Sequence, residues 1–172
     1  MAVDNVLIVG AGIGGLTLGA ALGQRGIETE IVEIKPTHQV HGVGILQPGN
    51  ALRALKTIGV FDECLAAGFQ TDEYRYLDAD GGLIAKLRLL RIADPNRPAI
   101  NMLPRPALHR ILTGAVERAG VRVRLGVTVR ELEQRDGRVA ASFSDGKTGS
   151  YDLVVGADGI RSSIRRMIFG NI

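Results

Sequence analysis

Gly10, Gly12 and Gly15 stand in the spacing G-x-G-x-x-G, between an apolar run, Val6-Leu7-Ile8-Val9, and a helical pattern that starts at Ile13. Each glycine in this spacing has its own job. The first admits a tight turn, the second lets a pyrophosphate approach the backbone, and the third lets helix and strand pack closely. The helix start adds unsatisfied N–H groups and a positive dipole end, both suited to phosphate. Glu33 follows roughly 18 residues beyond Gly15, where a carboxylate can accept hydrogen bonds from ribose hydroxyls. The pattern predicts a dinucleotide site, with a purely structural glycine turn as the alternative. A second candidate is Asp158-Gly159, a turn that carries an acceptor. Arg161 and Arg165 follow it near a helix start, where they could steer phosphates. A plain strand-to-helix turn with surface arginines is the competing reading.

Other reactive side chains are few. Cys64 is alone, so neither an intrachain disulfide nor a thiolate cluster for a metal can form. It lies on an apolar helical stretch and reads as core. His38, His41 and His109 lack the H-E-x-x-H arrangement, and no metal site is expected. His41 reads as an exposed or structural loop residue, and His109 as packing or capping. No catalytic acid, base or substrate anchor can be assigned.

The elements that must position these residues follow from periodicity. Val6 to Val9 is branched and continuously apolar, as a buried parallel strand is. Ile13 to Arg25 reads as a helix stopped by Gly26, and Ile31-Val32 as the centre of a second strand, completing a βαβ unit. His38 to Gln47 reads as a loop and Ala51 to Leu65 as helix broken near Gly59. Two strands, Tyr74 to Leu77 and Leu83 to Leu90, flank Asp78 to Gly82 as a hairpin. They suggest an antiparallel sheet that begins here and is not finished. Arg105 to Ala119 is a helix with Pro106 in its first turn. Val121 to Leu125 alternates as a half-buried strand does. Val127 to Glu133, Arg138 to Phe143 and Tyr151 to Val155 read as a meander feeding a last buried strand, before a short basic helix from Ser162 to Ile168.

Composition narrows the function classes. The chain has 172 residues, 45% hydrophobic and 23% charged, enough for one domain with a core. Its net charge of +3 is spread along the chain with no like-charge run, so no nucleic-acid partner is expected. Aromatics are 4% with no Trp, which argues against a base-stacking platform. No segment reaches the ~20 apolar residues of a membrane span, and the N-terminus has no signal-peptide pattern. A reduced, cytoplasmic protein is the expectation.

The segment from Asp152 to Arg165, Asp-Leu-Val-Val-Gly-Ala-Asp-Gly-Ile-Arg-Ser-Ser-Ile-Arg, resembles the "DG motif" of single-component (class A) FAD-dependent aromatic monooxygenases, the family of p-hydroxybenzoate and salicylate hydroxylases. Gly42 to Pro48 followed by Asn50-Ala51-Leu52 is similar to that family's "GAGI-x-L-x-PNA" loop, which passes close to the flavin ring. Leu103 to Arg110 resembles its "R-x-x-L-x-x-x-L" helix. The resemblance implies FAD as cofactor, NADH or NADPH as electron donor and a small aromatic substrate. It implies cofactor contacts at Gly10, Gly12, Gly15, Glu33, Gly44, Arg105, Val129, Asp158 and Gly159, with the Val129 backbone meeting adenine and Arg105 the flavin or its ribityl chain. The expected fold is α/β: a Rossmann-like FAD-binding domain with a parallel sheet, a β-meander and the start of an antiparallel substrate sheet. One domain over 1–172 is expected, with 71–103 contributing to the incomplete substrate-binding sheet.

The match has departures. Gly49 separates Pro48 from Asn50, and Leu46 stands where some members carry a histidine base. The family's downstream "GD" segment, which holds the ribityl chain, has no counterpart in these residues. The expectation is therefore the FAD-binding N-terminal portion of an aromatic hydroxylase, incomplete for catalysis by itself. The alternatives are a truncated, non-catalytic flavin-binding fragment, or another oxidoreductase of the same fold such as an epoxidase or reductase. A homo-oligomer, formed through the apolar strands of 74–90, is a further expectation.

Overall fold

The computed structural model describes residues 3–38, 40 and 42–170. In chain order the first elements are β1 (Asn5–Val9), α1 (Ile13–Gly23), β2 (Glu28–Glu33), β3 (Gly44–Pro48), α2 (Gly49–Thr57), α3 (Phe61–Ala66), β4 (Phe69–Thr71), β5 (Glu73–Leu77), β6 (Leu83–Arg88) and β7 (Ile100–Pro104). Then come α4 (Arg105–Arg118), β8 (Arg122–Leu125), β9 (Val129–Arg135), β10 (Arg138–Phe143), β11 (Thr148–Tyr151), β12 (Leu153–Gly156) and α5 (Ser163–Phe169). The chain divides into two units, Met1–Gln39 with Leu112–Ile172, and Val40–Ile111. His41, read from sequence as a loop residue, lies outside the described residues.

The first unit is built on a parallel sheet in the order β12-β1-β2-β8. Val6, Leu7 and Ile8 are fully buried on β1, as a strand covered on both faces requires. α1 lays Gly15, Leu16, Gly19 and Ala20 inward. Gly19 lets it come close, since a Cβ there would sit 2.6 Å from Ile31 Cδ1. The helix ends at Gly23, two residues before the expected Arg25, and Gly26 turns the chain at φ +74°. A second, antiparallel sheet is the meander β11-β10-β9. Its Asp136-Gly137 turn has both residues at positive φ, 50° and 76°, the hairpin geometry that matches strand twist. Leu7, Val9, Val32, Val129, Phe143 and Ile164 belong to one core that joins the meander to the parallel sheet.

The expected strand over Tyr151 to Val155 is in fact two. Asp152 breaks it: its carboxylate accepts from the N–H groups of Asp4 and Asn5 at 3.0 and 2.9 Å, and its own N–H donates to the Asn5 carbonyl at 2.9 Å. β11 therefore finishes the meander and β12 pairs in parallel with β1. β12 is the outer strand of its sheet and is not buried as expected, with Leu153 44% exposed.

The second unit holds an antiparallel sheet in the order β3-β7-β4, with α2 and α3. Residues 44–47, read from sequence as part of a loop, join Pro48 in β3 because β7 pairs with them from far along the chain, from Gly44↔Pro104 to Pro48↔Ile100. Helix breaks near Gly59 as expected, at φ +74°. Asn101, fully buried, donates to Gln47 Oε1 and the Cys64 carbonyl, both at 2.8 Å, and accepts from Gln70 at 2.9 Å. Cys64 is buried, and burial pushes its thiol up despite a hydrogen bond with Gln47. That makes it a core residue of low reactivity. Among the described residues β5 and β6 pair only with each other, around a turn in which Asp78 accepts from the N–H groups of Asp80 and Gly82.

Candidate dinucleotide site

The three motif glycines answer to different neighbours. Gly10 ends the β1 turn at φ +110°, and a Cβ there would lie 2.4 Å from the Ala157 carbonyl oxygen. A Cβ on Gly15 would lie 1.9 Å from the Gly10 carbonyl oxygen. These two are demanded by the protein's own packing. At Gly12 and Gly14 an added Cβ meets nothing within 4 Å. Gly12 is the N-cap of α1, with no side-chain cap and no acidic residue in the first turn. The loop thus presents open space in front of an uncompensated helix start, which fits an anionic pyrophosphate.

Glu33, at the end of β2, reaches back to this loop. Its Oε2 accepts from the Ala11 N–H at 2.8 Å and its Oε1 from the Lys35 N–H at 3.0 Å. Each carboxylate oxygen keeps a lone pair for a further donor such as a ribose hydroxyl. The Ala11 bond fixes the carboxylate against the glycine loop, a role the sequence reading did not foresee.

Asp158-Gly159 adjoins the same loop, because Ala157 donates to the Val9 carbonyl at 2.8 Å and its own carbonyl faces Gly10. Gly159 turns the chain at φ +82°. The Asp158 carboxylate is spent inside the protein. It accepts from the Ser162 hydroxyl at 2.5 Å, the Ser163 N–H at 2.6 Å, the Ser163 hydroxyl at 2.9 Å and the Ile164 N–H at 3.2 Å. Burial opposes its ionisation, but the hydrogen bonds from Ser162, Ile164 and Ser163 outweigh it and hold the carboxyl below the usual range. Ser162 in turn caps α5 by accepting from the Arg165 N–H at 2.9 Å. Two serines four and five residues after an aspartate were the available signal for this capping. Arg161 is exposed, and Arg165 donates to the Ile160 carbonyl at 2.9 Å.

Val129 heads β9 with its side chain in the core at 2% exposure, which leaves its backbone for any ligand contact. Gly10, Gly12, Gly15, Glu33, Val129, Asp158 and Gly159 all belong to the first unit. Gly44 and Arg105 belong to the second. Gly44 opens β3, where a Cβ would make only ordinary contact, 3.8 Å from the Leu103 carbonyl oxygen. Arg105 is exposed at the start of α4, and Gly42 lies on its stem, with a Cβ 3.0 Å from Arg105 Cδ. His109 is buried, and Leu46 carries no proton-transferring group. Among the described residues no group of His, Cys, Asp or Glu could hold a metal ion, and no helix is long and apolar enough to cross a membrane.

A Rossmann-like βαβ unit with a glycine loop, a carboxylate bonded to that loop and a second turn packed on it is the arrangement of a dinucleotide-binding protein. The chain matches the FAD binding domain family over residues 4–169, and it belongs to that family. It is 33% identical over 166 residues to a 3-amino-4-hydroxybenzoate 2-monooxygenase of Streptomyces cremeus, covering 95% of this chain and 42% of that protein. It is 30% identical over 173 residues to 3-hydroxybenzoate 6-hydroxylase 1 of Aquipseudomonas alcaligenes, covering 98% and 43%. Among solved structures, the tetrameric form of 2-methyl-3-hydroxypyridine-5-carboxylic acid oxygenase superposes with a TM-score of 0.82 at 25% identity, over 98% of this chain and 43% of that one. The chain thus spans less than half the length of the relatives it matches.

Proposed function

We propose that this chain is the FAD-binding portion of an NAD(P)H-dependent flavoprotein monooxygenase that hydroxylates a small aromatic compound. The observation that carries this reading is the meeting of three features at one place: the open face of Gly12, the Glu33 carboxylate bonded to Ala11, and the Ala157–Gly159 turn packed on Gly10. The relatives' names supply the substrate class, since they act on hydroxybenzoates and related rings.

FAD, when bound, supplies the redox and oxygen chemistry. The chain's own residues bind and orient it. Gly12 and the first turn of α1 receive the pyrophosphate, and Glu33 accepts from the adenosine ribose. The Val129 backbone faces adenine. Asp158 and Gly159 shape the turn beside the phosphates, with Asp158 acting through α5 rather than by direct contact. Gly44 and Arg105 serve the flavin end, and the β5–β6 hairpin belongs to the substrate side. NADH or NADPH is the electron donor, the compartment is the cytoplasm, and the assembly is a homo-oligomer.

The first test is a visible absorption spectrum of the purified chain before and after FAD addition. A flavin band that survives a desalting column is the expected result. A folded sample that retains none, in this chain and in a longer one alike, would remove FAD from the assignment.

A further inference from the structure

The adenosine end of a bound dinucleotide must lie at the C-terminal ends of β2 and β8, because ligands of parallel sheets sit at those strand ends. The backbone found there is the crossing segment 126–128. The Gly126 N–H donates to the Lys35 carbonyl at 2.9 Å, and the Val127 N–H to the Glu33 carbonyl at 3.0 Å. The segment therefore runs alongside the residue assigned to the ribose. Its other side is fastened to the meander. The Thr128 N–H donates to the Ser144 hydroxyl oxygen at 3.1 Å, and the Ser144 N–H to the Thr128 carbonyl at 2.9 Å.

Ser144 is in turn placed by its neighbour Asp145. Arg124 Nη2 donates to Asp145 Oδ2 at 2.7 Å, while Nη1 lies 3.3 Å from Glu30 Oε1. The same guanidinium sits 4.5 Å from the centre of the Phe143 ring, and its side chain is only 12% exposed. A planar fork between two carboxylates and an aromatic face holds one geometry, which a lysine could not reproduce. The turn itself does not need Arg124: Asp145 accepts from the Lys147 N–H at 3.2 Å, and Gly146 supplies φ +80°. What Arg124 adds is the position of that turn against β8.

We propose that Arg124 is a positioning residue for the adenosine end of the dinucleotide, acting through Asp145 and Ser144 on the Thr128–Val129 backbone. This rests on the flavin reading above and deepens it. The route runs by hydrogen bonds from Arg124 to Asp145 and from Ser144 to Thr128, joined through the chain itself at 144–145 and 128–129, with every step inside one unit.

Calorimetric titration of the whole chain with ADP and with FAD tests it. Asp145→Asn is expected to weaken both ligands by the same factor, roughly tenfold. Arg124→Lys keeps the charge but loses the fork, and falls between. Arg138→Ala removes the hydrogen bonds to Ser150 and the ion pair with Asp152, at the other end of β10, without touching Glu30, Arg124 or Asp145. It should lower the melting temperature yet keep both affinities within about twofold. Two results overturn the proposal while leaving the flavin reading intact: wild type binds and Asp145→Asn binds equally, or Arg138→Ala weakens ADP as much as Asp145→Asn does. A wild-type chain that binds neither ligand overturns both.

Discussion

β1 and β6 are similarly apolar strands that end in opposite surroundings. On β1, Val6, Leu7 and Ile8 are fully buried between α1 and the meander core. On β6, Leu83, Ile84 and Leu87 are 61%, 68% and 51% exposed, and every residue of the strand is open. The two differ in what covers them. β1 has a strand on each side and packing on both faces, all supplied from within its own unit. Among the described residues β6 has β5 alone as a partner, and an isolated two-stranded hairpin is marginal in water. An apolar pattern thus states that a strand needs cover, and says nothing about where the cover comes from.

Substitutions can break or sharpen this contrast. The largest effect is expected in the covered region, at Gly15. Gly15→Ala drives a Cβ into the Gly10 carbonyl, which should cost about 3 kcal/mol and abolish flavin retention. A denaturant melt matching wild type would show that the loop can move aside. Next is Glu33→Ala, which removes the acceptor for Ala11 together with the proposed ribose contact. Affinity for FAD should fall by ~1–3 kcal/mol, read by fluorescence titration; an unchanged affinity would take Glu33 out of the site.

Asp158→Ala comes third. It strips the start of α5 of its acceptor and should cost ~1–2 kcal/mol in thermal unfolding. Because the hydrogen bonds hold the folded carboxyl below the usual carboxylate range, its contribution is complete above that range and fades as pH falls through the lowered value. The variant should therefore show a flatter acid limb than wild type. A loss in the variant of equal size at pH 3 and pH 7 would contradict this. The smallest effect on stability belongs to the uncovered hairpin. Leu87→Lys should stay within about 0.5 kcal/mol of wild type yet reduce self-association in sedimentation velocity. A wild-type chain that remains monomeric at high concentration would rule out association through β6.

The covered region was also the more legible one. The Val6–Val9 run, the glycine loop and Glu33 declare themselves because local spacing and buried pattern agree. β3 and β7 did not, because Gly44 to Pro48 has neither alternation nor a turn signal and becomes a strand only through partners far along the chain. The break at Asp152 was hidden for a related reason: a carboxylate facing the N–H groups of residues 4 and 5 leaves no periodic trace. The candidate residues could be named by type, but their bonding could not be read. Asp158 looked like a free acceptor and proved to be a helix cap, and Arg124 looked like an alternating surface residue and proved to join two sheets.

The four glycines of the loop separate two kinds of selection. Positions 10 and 15 are closed to side chains by the protein's own carbonyl groups, whereas 12 and 14 face open space, and Gly12 has φ −75° and ψ −178°, which any residue can adopt. In a library randomised at all four, a screen for folded protein alone should accept alanine or serine at 12 and 14 and reject them at 10 and 15. A screen for retained flavin should close 12 as well. Any position at which the two screens disagree marks where the ligand, and not the fold, has been writing the sequence.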